Sequence, residues 1–288
     1  MVTTAVIPVA GLGTRFLPQT KSVPKELLPV VDKPVIQYIV EEAVASGLTN
    51  IIFVLSPDKE AIRGHFFENV KLQDELVKKG KHTELATISS LHSMATFHYA
   101  IQEEPRGLGD AILKARPFIP EGEACVVFGG DDIVEGDVPA AKQLMDVYEQ
   151  YHAPVIGVTN VAKEDVVRYG IIDPKESLDN AVFSLDTIVE KPAVADAPST
   201  LGVGGRWLIT ADVLDELART PEDASGEIQI TKALQTLAET QTLYAKQYEG
   251  VYRDCGNKIE YLKTVITFAL KNPETRDQIA SYIRQLDI

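Results

Sequence analysis

Apolar runs alternate with helical periods through the first half of the chain. Residues 3–9 read as a buried strand, and residues 50–55 as another, rich in Ile, Phe and Val and bounded by Ser56-Pro57. Between them Val35, Ile36, Ile39, Val40 and Ala43 recur at helical spacing after Pro34, and Gly47 stops the helix. Strand, helix and strand in that order predict parallel pairing. The charged segment 58–90 reads as helical, with breaks at Gly64 and Gly80. Segments 96–101, 124–128 and 154–158 supply further strands, with helices at 108–116 and 138–152.

The second half changes character. Strands at 170–173, 181–190 and 202–209 are separated by turns rather than long helices, so the sheet becomes mixed. Asn257 caps a helix carrying Leu262, Val265, Ile266 and Ala269 on one face, and a last helix over 274–286 packs outside the core as an arm. The chain has no internal repeat, low-complexity segment or flexible linker. The predicted class is α/β: a Rossmann-like three-layer fold with a central mixed, mostly parallel sheet. It is read as one domain over 1–288, with 257–288 a C-terminal helical segment.

Composition narrows the functional classes. The 288 residues carry 28 Lys+Arg against 42 Asp+Glu, a net charge of -14. That balance argues against a sequence-independent nucleic-acid binder and against attraction to an anionic membrane surface. No uncharged apolar run approaches the roughly 18 residues of a membrane span. The first basic residue is Arg15, and Gly and Pro interrupt the apolar stretch, so a secretory signal is not expected. Cys125 and Cys255 make no disulfide framework, and a cytoplasmic setting is the expectation.

One loop runs against the acidic trend. Ala10-Gly11-Leu12-Gly13-Thr14-Arg15 follows the first strand, and Lys21, Pro24-Lys25-Glu26, Pro29 and Asp32-Lys33-Pro34 stiffen its continuation. Between Ala10 and Pro34 four basic residues outnumber two acidic ones. Closely spaced glycines let backbone N–H groups approach an anion, and Arg15 adds a fork suited to phosphate oxygens. Phe16 stands where a dinucleotide loop needs its third glycine, and no Gly-Lys-Ser/Thr follows to make a Walker A loop. The residues fit a phosphate cradle with side-chain clamps, or a solvated tight turn.

Asp131 and Asp132 follow the strand ending Val126-Val127-Phe128, and Asp254 ends another strand before Cys255-Gly256. Carboxylates at strand ends in an open α/β sheet face the ligand crevice, although a turn or helix-cap pair would use the same residues. Neighbouring aspartates in extended chain point apart, so only one of Asp131 and Asp132 is expected to meet a metal. The five histidines lack metal-ligand spacing, and Trp207 reads as packing.

Gly11-x-Gly13-Thr14-Arg15-x-x-Pro18 followed by Pro24-Lys25-Glu26-Leu27-Leu28-Pro29 resembles the signature of the sugar-phosphate nucleotidyltransferases, in particular their bacterial-type UTP–glucose-1-phosphate uridylyltransferases. The likeness extends through Gly107-Leu108-Gly109, Gly130-Asp131-Asp132, Tyr169-Gly170-Ile171-Ile172, Glu190-Lys191-Pro192, Gly226-Glu227-Ile228-Gln229 and Asp254-Cys255-Gly256. The resemblance implies a nucleotidyltransferase fold and transfer of a nucleotidyl group to a sugar 1-phosphate. It gives Arg15 the β- and γ-phosphates, Lys25 the α-phosphate and Lys191 the sugar phosphate. Mg²⁺ falls to Asp131 and Asp254. Nucleotide contacts fall to Ala10, Gly11, Gly13, Thr14, Glu26, Gln102 and Gly107, with Gln102 on uracil. Sugar contacts fall to Gly170, Glu190, Val203 and Gly204. A homodimer or homotetramer is implied, with no nucleic-acid or membrane partner.

The chain departs from the pattern at four positions. Asp110 stands where His is common, and either alters base preference or caps the following helix. Gly129 replaces an apolar residue, Lys232 an Asp and Glu260 a Gly. These leave open another substrate pair, such as dTTP or a hexosamine 1-phosphate, and a non-catalytic regulatory paralogue.

Overall fold

The computed structural model describes residues 1–286; the last two residues of the expected 257–288 segment lie outside the described residues. Its strands longer than two residues are β1 (Thr4–Pro8), β2 (Asn50–Leu55), β3 (Thr96–Ile101), β4 (Cys125–Phe128), β5 (Asp132–Glu135), β6 (Val155–Asn160), β7 (Gly170–Ser177), β8 (Val182–Glu190), β9 (Leu201–Ile209), β10 (Tyr244–Gln247) and β11 (Val251–Asp254). Nine of them form one sheet in the order β3-β2-β1-β4-β9-β6-β10-β8-β7. β1, β2, β3 and β4 pair in parallel, and β6 pairs in parallel with β10. Only β8 and β9 run against the rest. β5 and β11 form a separate antiparallel ribbon.

Helices cover both faces, so β2 is apolar along nearly its whole length. β1 shows the division between the two layers: Ala5 and Ile7 enter one core and Val6 the other. The first core is closed by helices Val35–Ala45 and Ala140–Tyr151, the second by Gly107–Ala115, Ala211–Leu217 and Ile230–Ala238. Trp207 is buried in the second.

Several local expectations need correcting. Gly64 lies inside helix Glu60–Phe66, where the buried Ile62 and Phe66 hold the turn. One glycine costs a helix only about 1 kcal/mol against alanine, which such packing overrides. The actual break falls before helix Val70–Lys78, whose first turn is capped by Asn69 accepting from the Leu72 amide at 3.1 Å. Gly80 does end that helix, with φ of 66°.

Asn257 caps helix Lys258–Lys271 as expected, its Oδ1 accepting from the amides of Ile259 and Glu260. The buried face is rotated from the expected one. Tyr261, Val265 and Phe268 pack on the first core, while Leu262 and Ile266 are exposed. Aromatic edge contacts from Tyr261 to Phe16 and from Phe268 to Tyr38 draw that face inward. Helix Arg276–Gln285 buries no residue.

Candidate active site

The parallel strands β1, β3 and β4 end on one edge, where α/β sheets bind their ligands. Three sequence features meet there: the glycine loop after β1, Gln102 after β3 and the aspartates after β4. Gly13 takes φ of 64°, a conformation costly for residues with a Cβ, and starts the tight turn Thr14–Phe16. Thr20 Oγ1 donates to the Gly13 carbonyl at 2.8 Å and pins the loop. Ala10, Gly11 and Lys25 line a cavity of about 120 Å³ together with Ser56, Asp58 and Lys59.

Charge in this region is interlocked. Lys25 Nζ lies 2.6 Å from Asp131 Oδ2. Its neighbour Glu26, 1% exposed, accepts from Lys59 Nζ with both oxygens at 3.0 and 2.9 Å. Burial alone would depress the Lys25 ammonium, but Asp131 and Glu26 outweigh it and hold the pKa above the usual lysine value. Burial works against an ionised Asp131 as well, yet Lys25 holds its pKa below the ordinary range. For Glu26 burial prevails and the pKa rises despite Lys59. Lys25 and Asp131 are therefore both charged at neutral pH.

Asp132 turns the other way from Asp131. Its Oδ1 accepts from the Tyr252 hydroxyl at 2.5 Å, and its carbonyl accepts from Arg206 at 2.8 Å. Burial, then the charges of Asp131 and Asp254, push its pKa up to about 7. The β5–β11 ribbon sets Asp254 directly opposite Asp132. Asp254 Oδ2 accepts from Arg168 at 2.7 Å, and burial and Asp131 together raise its pKa.

Gly256 shows how near Asp131 and Asp254 come. A Cβ there would collide with Asp131 Oδ2 and lie 3.0 Å from Asp254 Oδ1, so both carboxylates converge on one point. Two hard oxygen donors of like charge fit a divalent cation completed by phosphate oxygens and water, as Mg²⁺ prefers. Among the described residues, no group of three or more His, Cys, Asp and Glu is placed to hold a metal with protein donors alone. Cys125 and Cys255 are free and buried, and burial pushes both thiols up to about 12.

Of the residues expected to meet a sugar, Gly170 begins β7, Glu190 ends β8, and Val203 and Gly204 lie inside β9. Gly170 pairs with Glu190, and a Cβ on Gly170 would lie 3.3 Å from Glu190 Oε2 and 3.4 Å from Val203 Cγ2. Lys191 follows in the left-handed region, with φ of 44°, and its Nζ lies 3.0 Å from Glu190 Oε1. Gly204 sits against Tyr248, whose hydroxyl donates to the Gly204 carbonyl at 3.0 Å. A cavity of about 280 Å³ opens beside Glu190, lined also by Glu227, Gln229, Thr231 and Lys232.

Comparison with known proteins decides the family. The nucleotidyl transferase family model matches residues 4–269. A UTP–glucose-1-phosphate uridylyltransferase of Staphylococcus saprophyticus is 46% identical over 283 residues, covering 98% of each chain. One from Streptococcus pneumoniae is 44% identical over 286 residues, covering 98% of this chain and 95% of that one. The chain belongs to the nucleotidyl transferase family. Among solved structures, a UTP-bound UGPase from Acinetobacter baumannii superposes with a TM-score of 0.92 at 37% identity, each chain fully covered.

Within this family frame, each of the four unusual positions has a definite local setting. Asp110 does not cap its helix, because no side chain caps Gly107–Ala115. Its carboxylate instead accepts from Gln102 Nε2 at 2.8 Å. A Cβ at Gly129 would collide with the Asp132 carboxylate, which occupies the space an apolar side chain would need. Lys232 lies on the wall of the cavity beside Glu190. Glu260 shares its helix turn with Lys263, at 2.8 Å.

Sequence reasoning missed Lys59, Arg168, Arg206 and Tyr252. Each is distant in the chain from the group it touches, and none lies in the quoted motifs. Arg206, fully buried, pairs with Glu42 at 2.6 Å while donating to Asp132. Its one signal was a guanidinium inside the apolar run of β9.

Proposed function

We propose that the chain transfers a uridylyl group from UTP to glucose 1-phosphate, giving UDP-glucose and pyrophosphate. The observation that carries this reading is the half-buried Lys25–Asp131 pair at the sheet edge, facing Asp254 across Gly256. It occurs in a chain 44–46% identical to proteins named for that reaction.

In this reading an oxygen of the sugar phosphate attacks the α-phosphorus in line. The new P–O bond forms as the bond to the bridging β-phosphate oxygen breaks, and pyrophosphate leaves with that electron pair. A phosphate monoester is ionised near neutral pH, so no general base is required and catalysis is positioning plus charge neutralisation. Lys25 faces the α-phosphate and Arg15 the β- and γ-phosphates. Ala10, Gly11, Gly13 and Thr14 supply backbone around them. Lys191 leaves Glu190 for the sugar phosphate, and Glu190 then accepts from sugar hydroxyls beside Gly170, Val203 and Gly204. Gln102 and Gly107 face the base.

Asp131 and Asp254 would hold Mg²⁺, which when bound neutralises charge on the triphosphate. Glu26 supports Lys25 from behind. We assign the chain to the cytoplasm, where its two free thiols would stay reduced. No helix among the described residues is long and apolar enough to cross a membrane. We also assign a homodimer or homotetramer, supported by the exposed Ile259, Leu262 and Ile266 on one helix.

The test is pyrophosphate release across a panel of four nucleotides and several sugar 1-phosphates. UTP with glucose 1-phosphate should give the highest kcat/KM. Faster turnover of dTTP or a hexosamine 1-phosphate would reassign the substrates, and no turnover with any pair would leave a regulatory paralogue.

A further inference from the structure

Gln102 follows β3 on the edge that carries the glycine loop, its backbone amide donating to Leu55 O at 2.8 Å. The residue is 4% exposed and its carboxamide is held at one end only. Nε2 donates to the Gly107 carbonyl at 3.1 Å and to Asp110 Oδ2 at 2.8 Å. Both partners are acceptors, so the group facing them must be the NH₂. Rotating the carboxamide by half a turn would set its oxygen against a carbonyl and a carboxylate in a buried site. Oε1 has no donor among the described residues and is not sealed from solvent.

Asp110 is built into this arrangement. It is 5% exposed in the first turn of helix Gly107–Ala115, where the helix dipole favours an anion. Lys114 Nζ lies 4.0 Å from its other oxygen. The turn before it is fixed to a neighbouring segment, the Ile228 amide donating to Arg106 O and the Gly109 amide to Ile228 O.

We infer that Asp110 is a positioning residue that fixes the polarity of the Gln102 carboxamide, so that the site selects a base with a ring N–H. Both Nε2 hydrogens are engaged, which leaves an acceptor as the only hydrogen-bonding group Gln102 can offer. Uracil presents its N3–H to such an acceptor. Cytosine presents an unprotonated N3, so two lone pairs would face each other in a buried site. Thymine matches uracil on this edge, so the pair separates imino from amino pyrimidines and does not distinguish UTP from dTTP. This inference rests on the proposed nucleotidyl transfer and on Gln102 facing the base.

The test compares kcat/KM for UTP and CTP, with saturating glucose 1-phosphate, in the full-length protein and its variants. Asp110→Asn keeps the shape but can place either an acceptor or a donor toward Gln102. It should lower the UTP:CTP preference by about tenfold or more, through KM for UTP, with kcat changed less than about threefold. UTP and dTTP should weaken together. A merely structural role would lower UTP and CTP alike and leave their ratio unchanged, which would overturn the inference. Gln102→Leu covers the case in which the Asp110 variant folds poorly, because it leaves Asp110 beside Lys114. It should lose the same preference, and Asp110→Asn added to it should change the ratio no further. An unchanged ratio in Gln102→Leu, or a further change in the double variant, would also overturn the inference. Absence of UTP turnover in the unmodified protein would instead defeat the proposed function itself.

Discussion

The proposed phosphate end and the proposed sugar end of the site are built differently. At the phosphate end the buried Lys59–Glu26 pair lies next in the chain to Lys25, whose half-buried pair with Asp131 leaves each side chain 22% exposed. At the sugar end Glu190 and Lys191 pair with each other at 3.0 Å, and the Lys191 side chain is 55% exposed. A buried ion pair is held by the cost of leaving either partner alone, whereas an exposed one is worth about 1 kcal/mol or less and opens readily. The nucleotide would therefore meet a site with its charges already placed, and the sugar phosphate would draw a mobile cation to itself.

The largest effect should come from the placed charges. Lys25→Ala and Asp131→Ala should each lower kcat in the pyrophosphate-release assay by about 1,000-fold or more. Near-normal turnover in either would remove that residue from the chemistry and dissolve the contrast. Next comes the support behind them. Lys59→Met leaves Glu26 buried without its bidentate partner and should cost about 3–5 kcal/mol in urea denaturation. A cost below about 1 kcal/mol would mean that these charges are no more interlocked than the exposed pair. Lys191→Ala should act more gently, raising KM for the sugar phosphate about 10- to 100-fold with KM for UTP unchanged. Equal damage to both KM values would show that the two ends are not separable.

The sheet and the glycine loop were legible because their signals are local. Strands β1, β2 and β4 are continuous apolar runs, and the Ala10–Pro34 loop carries its basic excess in one stretch of sequence. A strand ending at Asp254 was legible, but β5 and its pairing with β11 were not: Asp-Ile-Val-Glu alternates weakly, and the pairing joins residues far apart in the chain. That ribbon nevertheless brings Asp254 to Asp131, so the convergence of the two carboxylates could be expected from family likeness but not from spacing. Asp110 illustrates the remaining gap. Its position in a helix's first turn suggests a cap, and only the fold shows Gln102 within reach of its carboxylate. The rotated face of helix Lys258–Lys271 has the same origin, since aromatic partners on other segments, Phe16 and Tyr38, choose which apolar stripe turns inward.

The smallest predicted effect concerns the carboxylate that the phosphate end does not use directly. Asp132 is half-buried beside two other aspartates, and its pKa is pushed from the ordinary 3.8 up to about 7. Between those values the native protein keeps a proton that the unfolded chain has released. Stability from this group is therefore fully present below about pH 4, falls as pH rises toward 7 and levels off above it. Asp132→Asn keeps an acceptor for Tyr252 and removes the titration. In metal-free protein its melting temperature should exceed that of the unmodified protein by a few degrees at pH 8, with the gain shrinking toward pH 4. Adding Mg²⁺ should narrow the difference at pH 8, because a cation held by Asp131 and Asp254 screens the charges that burden Asp132. A gain independent of pH would mean that Asp132 is ionised throughout, and that the crowding of carboxylates around Gly256 is already relieved by Arg168, Arg206 and Lys25.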